Sequence, residues 1–198
     1  MVKFIDCEQG TEQWLRERAG IPTASQFSTV LSKGQGNTRR TYLLKLAGER
    51  LTGEPMESYS NAHMERGKVM EAEAREAYAF MHDADPQLVG FARRGDAGAS
   101  PDALVGDSGL LEIKTLLPHL QLDVLDRDRV PPENVAQLQG QLWICEREWV
   151  DYVSYWPGLP LFVKRVHRDE EYIKTLADEV QRFNDELAAI VERFSQAA

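Results

Sequence analysis

The chain has 198 residues, 42% of them hydrophobic, and a formal net charge of −9, which suits one α/β domain built on a single sizeable core. No apolar run approaches the roughly 20 residues that a bilayer demands, and Met1 to Asp6 carries no secretory core, so a cytoplasmic, non-membrane protein is expected. Cys7 and Cys145 lie far apart and match no zinc or redox spacing, which excludes a disulfide scaffold and a four-cysteine cluster.

In chain order, Thr11 to Arg18 is predicted helical, and Thr23 is a candidate N-cap for a helix reaching Leu31. Lys33 to Arg40 is basic, Gly-rich and poor in apolar residues, so it reads as an exposed loop leading to a helix that starts at Thr38. That helix runs to Leu51, where Gly53 and Pro55 stop it, and Ser60 to Met81 is predicted as one long Pro-free helix. Leu88 to Arg93 and Ala103 to Thr115 supply strands, the second folded back through Gly106-Asp107-Ser108-Gly109. Pro131-Pro132-Glu133 opens a helix to about Cys145. Val150 to Trp156 and Leu161 to His167 read as strands, and Ile173, Leu176, Val180, Phe183 and Leu187 mark a long amphipathic terminal helix. This order predicts a single domain over 1–198 with a central mixed β-sheet flanked by helices.

Ser100-Pro101-Asp102, followed after nine intervening residues by Glu112-Ile113-Lys114, is the most informative pattern. Residues two apart on a strand share a face, so Glu112 and Lys114 project together, and Asp102 can meet them across the hairpin. Mg²⁺ takes hard oxygen ligands, usually one or two carboxylates plus substrate phosphate, and Asp102 and Glu112 fit that role. Lys114 could orient an attacking water and meet charge developing on the phosphate. An isolated Glu-x-Lys is usually only a polar hairpin face, but with Pro-Asp at this spacing the pattern points to a metal-dependent nuclease. The acidic balance does not exclude a DNA partner, because the local potential decides contact and a metal site is itself acidic. Lys33, Arg39 and Arg40 are candidates for the DNA backbone, with a plain solvated loop as the alternative. The four histidines are scattered and form no ligand pattern.

The Asp102, Glu112, Lys114 set resembles the PD-(D/E)xK nuclease core, and the chain resembles phage lambda exonuclease and its YqaJ-type viral recombinase relatives. Trp14 to Arg18 with Gly20-Ile21-Pro22-Thr23-Ala24-Ser25, Gly67 to Glu71, Ser100-Pro101-Asp102, Leu111 to Thr115 and Gln137-Leu138-Gln139 occur in the family's order. The resemblance implies a restriction-endonuclease-like fold. It implies that Asp102, Glu112, Glu71 and the Ile113 carbonyl bind metal, and that Lys114 and Gln137 act on the water and phosphate. Glu71 would otherwise be one acid among neighbours, pairing with Arg75, and Gln137 a helix-surface residue.

The same resemblance places Arg18, Ser25 and Ser100 on a terminal 5′-phosphate, where a guanidinium forks onto phosphate oxygens. Met64 falls where the family has an apolar wedge, although a core Met reads equally well. Ala103 stands where the family often has Gly after the Ser-Pro-Asp motif. The activity implied is a 5′-to-3′ exonuclease on linear double-stranded DNA, using two Mg²⁺ ions, for which Mn²⁺ can substitute, releasing 5′-mononucleotides and leaving a 3′ overhang. A homotrimer ring, a single-strand-annealing partner and the bacterial host of a phage or prophage are implied with it. The rivals are a structure-specific endonuclease or other nuclease on the same core, and a non-catalytic DNA- or partner-binding module.

Overall fold

Leu110, Leu111 and Ile113 belong to an aliphatic run that can be buried on both faces, and in the computed structural model Gly109–Thr115 is the central strand of a five-stranded sheet. The structure describes residues 1–32, 37–56 and 62–195, leaving out the side chains of 62–65. The elements are β1 (Lys3–Ile5), α1 (Glu12–Arg18), a 3₁₀ turn (Ala24–Gln26), α2 (Phe27–Leu31), α3 (Asn37–Thr52) and α4 (Ala62–His82). They continue with β2 (Pro86–Gln87), β3 (Phe91–Arg94), β4 (Ala97–Ala99), β5 (Ala103–Val105), β6 (Gly109–Thr115) and α5 (Pro118–Arg127). α6 (Pro132–Cys145), β7 (Trp149–Tyr155), β8 (Phe162–His167) and α7 (Glu170–Ser195) complete the chain.

The larger sheet has the order β2-β5-β6-β7-β8, and a smaller one has the order β1-β3-β4. β6 and β7 are parallel, from Gly109 beside Trp149 to Thr115 beside Tyr155, while the other pairs are antiparallel. A parallel pair needs a crossover, which α5 and α6 provide. α4 covers one face of the larger sheet, with Ala74 and Tyr78 packed among Leu111, Ile113 and Val153. On the other face Leu138 and Leu142 of α6 join Leu110, Val150 and Tyr152, and α2, α3 and α7 extend this core. The result is a single α/β domain with a mixed central sheet between helices.

The predicted elements form, with four additions, β1, β2, β4 and α5, and two shifts. β1, β4 and α5 carry weak local signals: β1 is three residues long, β4 is Ala-Gly-Ala, and α5 begins on Pro118. Gly98 in β4 is required by packing, since a Cβ there would stand 2.1 Å from the Phe91 ring. Thr23 caps nothing with its side chain, because the chain first makes the 3₁₀ turn. The strand predicted from Leu88 begins only at Phe91, and Gly90 presses so closely on Cys7 that a Cβ would lie 2.1 Å from its carbonyl oxygen. Among the described residues no helix is long and apolar enough to cross a membrane.

Gly140 sets how closely α6 can approach α2, because a Cβ at that position would fall 2.3 Å from the buried Phe27 ring and 3.3 Å from Ala24 Cβ. Alanine is the better helix former by about 1 kcal/mol, yet overpacking a full core costs about 1–3 kcal/mol. Gly140→Ala is therefore expected to lower the urea midpoint, and a rise in the midpoint would show that the α6–α2 contact relaxes freely.

Candidate active site

Alternation along β6 turns Leu111 and Ile113 toward α4, leaving Glu112 and Lys114 on the α6 side. Asp102, just before β5, is fixed against β6 twice: its N–H donates to Leu111 O at 3.0 Å, and its Oδ2 accepts from Ile113 N at 2.5 Å. Gln9 holds the preceding loop, donating from Nε2 to Val89 O and to Pro101 O, both at 2.9 Å.

Glu112 is 3% exposed. Its Oε1 accepts from Lys114 Nζ and from Gln137 Nε2, each at 2.6 Å, and its Oε2 accepts from Gln141 Nε2 at 2.5 Å. Lys114 also donates to Gln137 Oε1 at 3.1 Å, which leaves one of its three ammonium donors for a further acceptor. The structure thus brings together Asp102, Glu112, Lys114 and Gln137, and adds Gln141, which the sequence reading missed. The signal was there: Gln137 and Gln141 are four apart on one helix and share a face. Gln139 points elsewhere, donating to His167 O and accepting from Asp169 N, both at 2.9 Å.

Glu71 projects from α4, where Arg75 Nη1 donates to its Oε1 at 3.3 Å. Burial, then Glu112 and Glu71, push the Asp102 carboxyl well above the usual carboxylate range, against the opposing pull of Ile113 N–H and Lys114. Burial also raises Glu71, with Arg75 opposing and Glu112 adding to the rise. Burial pulls the Lys114 ammonium down, but Glu112, Asp102 and Glu71 together outweigh it and leave it above its ordinary value. Among the described residues no three acidic, histidine or cysteine side chains converge tightly enough to enclose an ion. Like charges repel, and Glu112 and Glu71 have each turned to their own donors.

Beside this cluster, the Arg18 guanidinium lies over the Trp14 ring at 3.9 Å, and its Nη1 stands 3.5 Å from Ser100 Oγ. Trp14 Nε1 donates to the same hydroxyl at 2.9 Å, so Trp14 is a second residue that the motif reading left without a role. Ser25 is exposed, its hydroxyl 3.3 Å from Thr23 Oγ1. Buried Glu49 tethers the segment leading to Ser25, accepting from Gly20 N at 2.7 Å and from Met56 N at 3.0 Å. Arg39 lies on α3, and its fork grips Glu186 of α7 at 2.8 and 2.7 Å. Arg40 is exposed on the same helix. Lys33 and the Met64 side chain lie outside the described residues.

A family model described as the YqaJ-like viral recombinase domain matches residues 13–148. Among solved structures, an alkaline exonuclease from Laribacter hongkongensis aligns with TM-score 0.87 and 34% identity, covering 94% of this chain and 97% of that one. The same exonuclease in complex with dAMP aligns with TM-score 0.87 and 35% identity over the same shares. A phage-related exonuclease from Haemophilus somnus 129PT, at 12% identity and TM-score 0.66 over 88% of this chain and 96% of that one, shares the fold. The chain matches no curated protein.

The raised Asp102 carboxyl links the site to stability. A carboxyl whose pKa is higher in the fold than in the unfolded chain binds more protons when folded. The stability it allows is therefore full below the ordinary carboxylate range and is lost as pH rises through the raised value. Asp102→Asn is expected to raise stability in EDTA at neutral pH by on the order of 1 kcal/mol. Its urea midpoints should converge with those of the wild type in acid; parallel curves would show that another group carries the slope.

Proposed function

This chain belongs to the YqaJ-like viral recombinase family, and from that premise we propose that it is a Mg²⁺-dependent exonuclease that degrades one strand of linear duplex DNA from its 5′ end. On this reading it releases 5′-mononucleotides and leaves a 3′ single-stranded tail. The observation that carries the proposal is the joining of Asp102, Glu112, Lys114 and Gln137 where β5, β6 and α6 meet.

The donor set fits a hard divalent cation. Asp102, Glu112, Glu71 and the Ile113 carbonyl offer only oxygen, and positive charge would offset the burial and the mutual repulsion that raise Asp102 and Glu71. Two Mg²⁺ ions, or Mn²⁺ in their place, would make water a better nucleophile and neutralise charge on the leaving 3′ oxygen. The chain's own groups supply the rest. Lys114 has a donor to spare beyond Glu112 and Gln137, and this donor orients the attacking water and meets charge on the phosphoryl oxygens. Gln137 restrains the ammonium through its Oε1 while its Nε2 holds Glu112. Arg18, Ser100 and Ser25 grip the terminal 5′-phosphate, with Trp14 fixing both the guanidinium and the Ser100 hydroxyl. Family resemblance extends the proposal to a homotrimer ring around DNA and a single-strand-annealing partner.

The test uses linear duplex labelled at either end beside a supercoiled circle, in Mg²⁺ and in EDTA, with wild type and Lys114→Ala. The expected result is metal-dependent release of 5′-terminal mononucleotides, an intact circle, and at least a 100-fold lower rate for Lys114→Ala with DNA binding retained. A cut circle would indicate an endonuclease, and the absence of cleavage under any metal would indicate a binding module. Arg18→Ala is expected to slow digestion of 5′-phosphorylated ends selectively, and equal slowing on 5′-hydroxyl ends would remove the phosphate-pocket assignment.

A further inference from the structure

We infer that Gln141 is a positioning residue for the Glu112 carboxylate and thereby sets how tightly the site takes up a divalent cation; the inference rests on the metal-dependent reading above. An ionised carboxylate offers about four lone-pair positions. On Glu112, Oε1 already receives Lys114 Nζ and Gln137 Nε2 at 2.6 Å each, and so is filled. Among the described residues Oε2 receives Gln141 Nε2 alone, at 2.5 Å. The lone pair still open on Glu112 is therefore on Oε2, and the Gln141 amide fixes the carboxylate rotation that decides where it points.

The burial of Gln141 supports a functional reason for its presence. It is 1% exposed, and its own Oε1 finds no hydrogen-bond partner among the described residues. A leucine would fill this space without stranding an acceptor, so packing does not explain the glutamine. The head group cannot be turned over, because that would set Oε1 against a carboxylate oxygen and strand both amide donors. Gln137 cannot stand in for it, since that amide is engaged with Lys114 and with the other carboxylate oxygen. Residues that hydrogen-bond a metal-ligating carboxylate tune affinity even though they never touch the ion.

The test is a calorimetric titration of Mn²⁺ into the full-length wild type, Gln141→Leu and Gln141→Met, with cleavage rates measured across metal concentrations. The expected result is a fall in Mn²⁺ affinity of about 10- to 100-fold, a matching rise in the metal concentration for half-maximal rate, and a largely recovered rate at saturating metal. A merely structural role would lower melting temperature and rate without moving the Mn²⁺ affinity, and that outcome overturns the inference. If neither variant folds, the Gln141 side-chain amide resonance of the ¹⁵N-labelled wild type decides: a shift on adding Mg²⁺ supports the role, and an unmoved resonance overturns it. Wild type that takes up no Mn²⁺ overturns the metal reading and this inference together, whereas unchanged affinity in a folded Gln141→Leu overturns this inference alone.

Discussion

A carboxylate buried against a sheet face is the constraint around which this fold is arranged. An ionised acid removed from water is strongly unfavourable unless hydrogen bonds replace its hydration. Glu112 obtains three donors, one from its own strand and two from α6. α6 must therefore lie at one depth and one rotation over β6, and the packing around it serves that placement. Gly140 lets the helix close on Phe27, and Gln139 on its other side is tied to the segment joining β8 to α7. Leu138 and Leu142 are fully buried in the main core.

The opposite face repeats the arrangement with a second buried acid. Asp151 on β7 is 2% exposed and accepts from Tyr78 Oη at 2.7 Å and from Arg165 Nε and Nη2 at 2.8 Å. Burial and this partner push the Tyr78 phenol upward. The contact fastens α4 to the sheet two turns beyond Glu71, on the helix that brings Glu71 to the cluster. Trp149 supports the arginine from below, its ring 3.6 Å from the guanidinium. One buried acid thus sits on the α6 side of the sheet with three donors around it, and the other fastens the helix that carries Glu71. The first is held mainly by side-chain amides and one ammonium, and the second by a forked guanidinium and a phenol.

The sequence carried the elements whose signals are local. Alternation over Leu110 to Lys114 placed the strand and the shared face of Glu112 and Lys114, and apolar spacing placed α7. β1, β4 and α5 were not legible, because three-residue strands and an Ala-Gly-Ala segment gain stability only from neighbours that arrive later in the chain. Arg39 shows the same limit, since its partner Glu186 stands 147 positions away and a basic stretch looks exposed when that acid is out of sight.

By itself, then, the sequence determined the Asp102, Glu112, Lys114 pattern, the α/β order and the family resemblance, because side-chain period and motif spacing are properties of the chain alone. Only the tertiary structure decided that Gln141 joins Gln137 on Glu112 while Gln139 turns away. It also joined Trp14 to Ser100 and coupled the three acids into mutual repulsion. Those outcomes depend on hydrogen-bond geometry and on burial, which exist only once α6 has closed over the sheet.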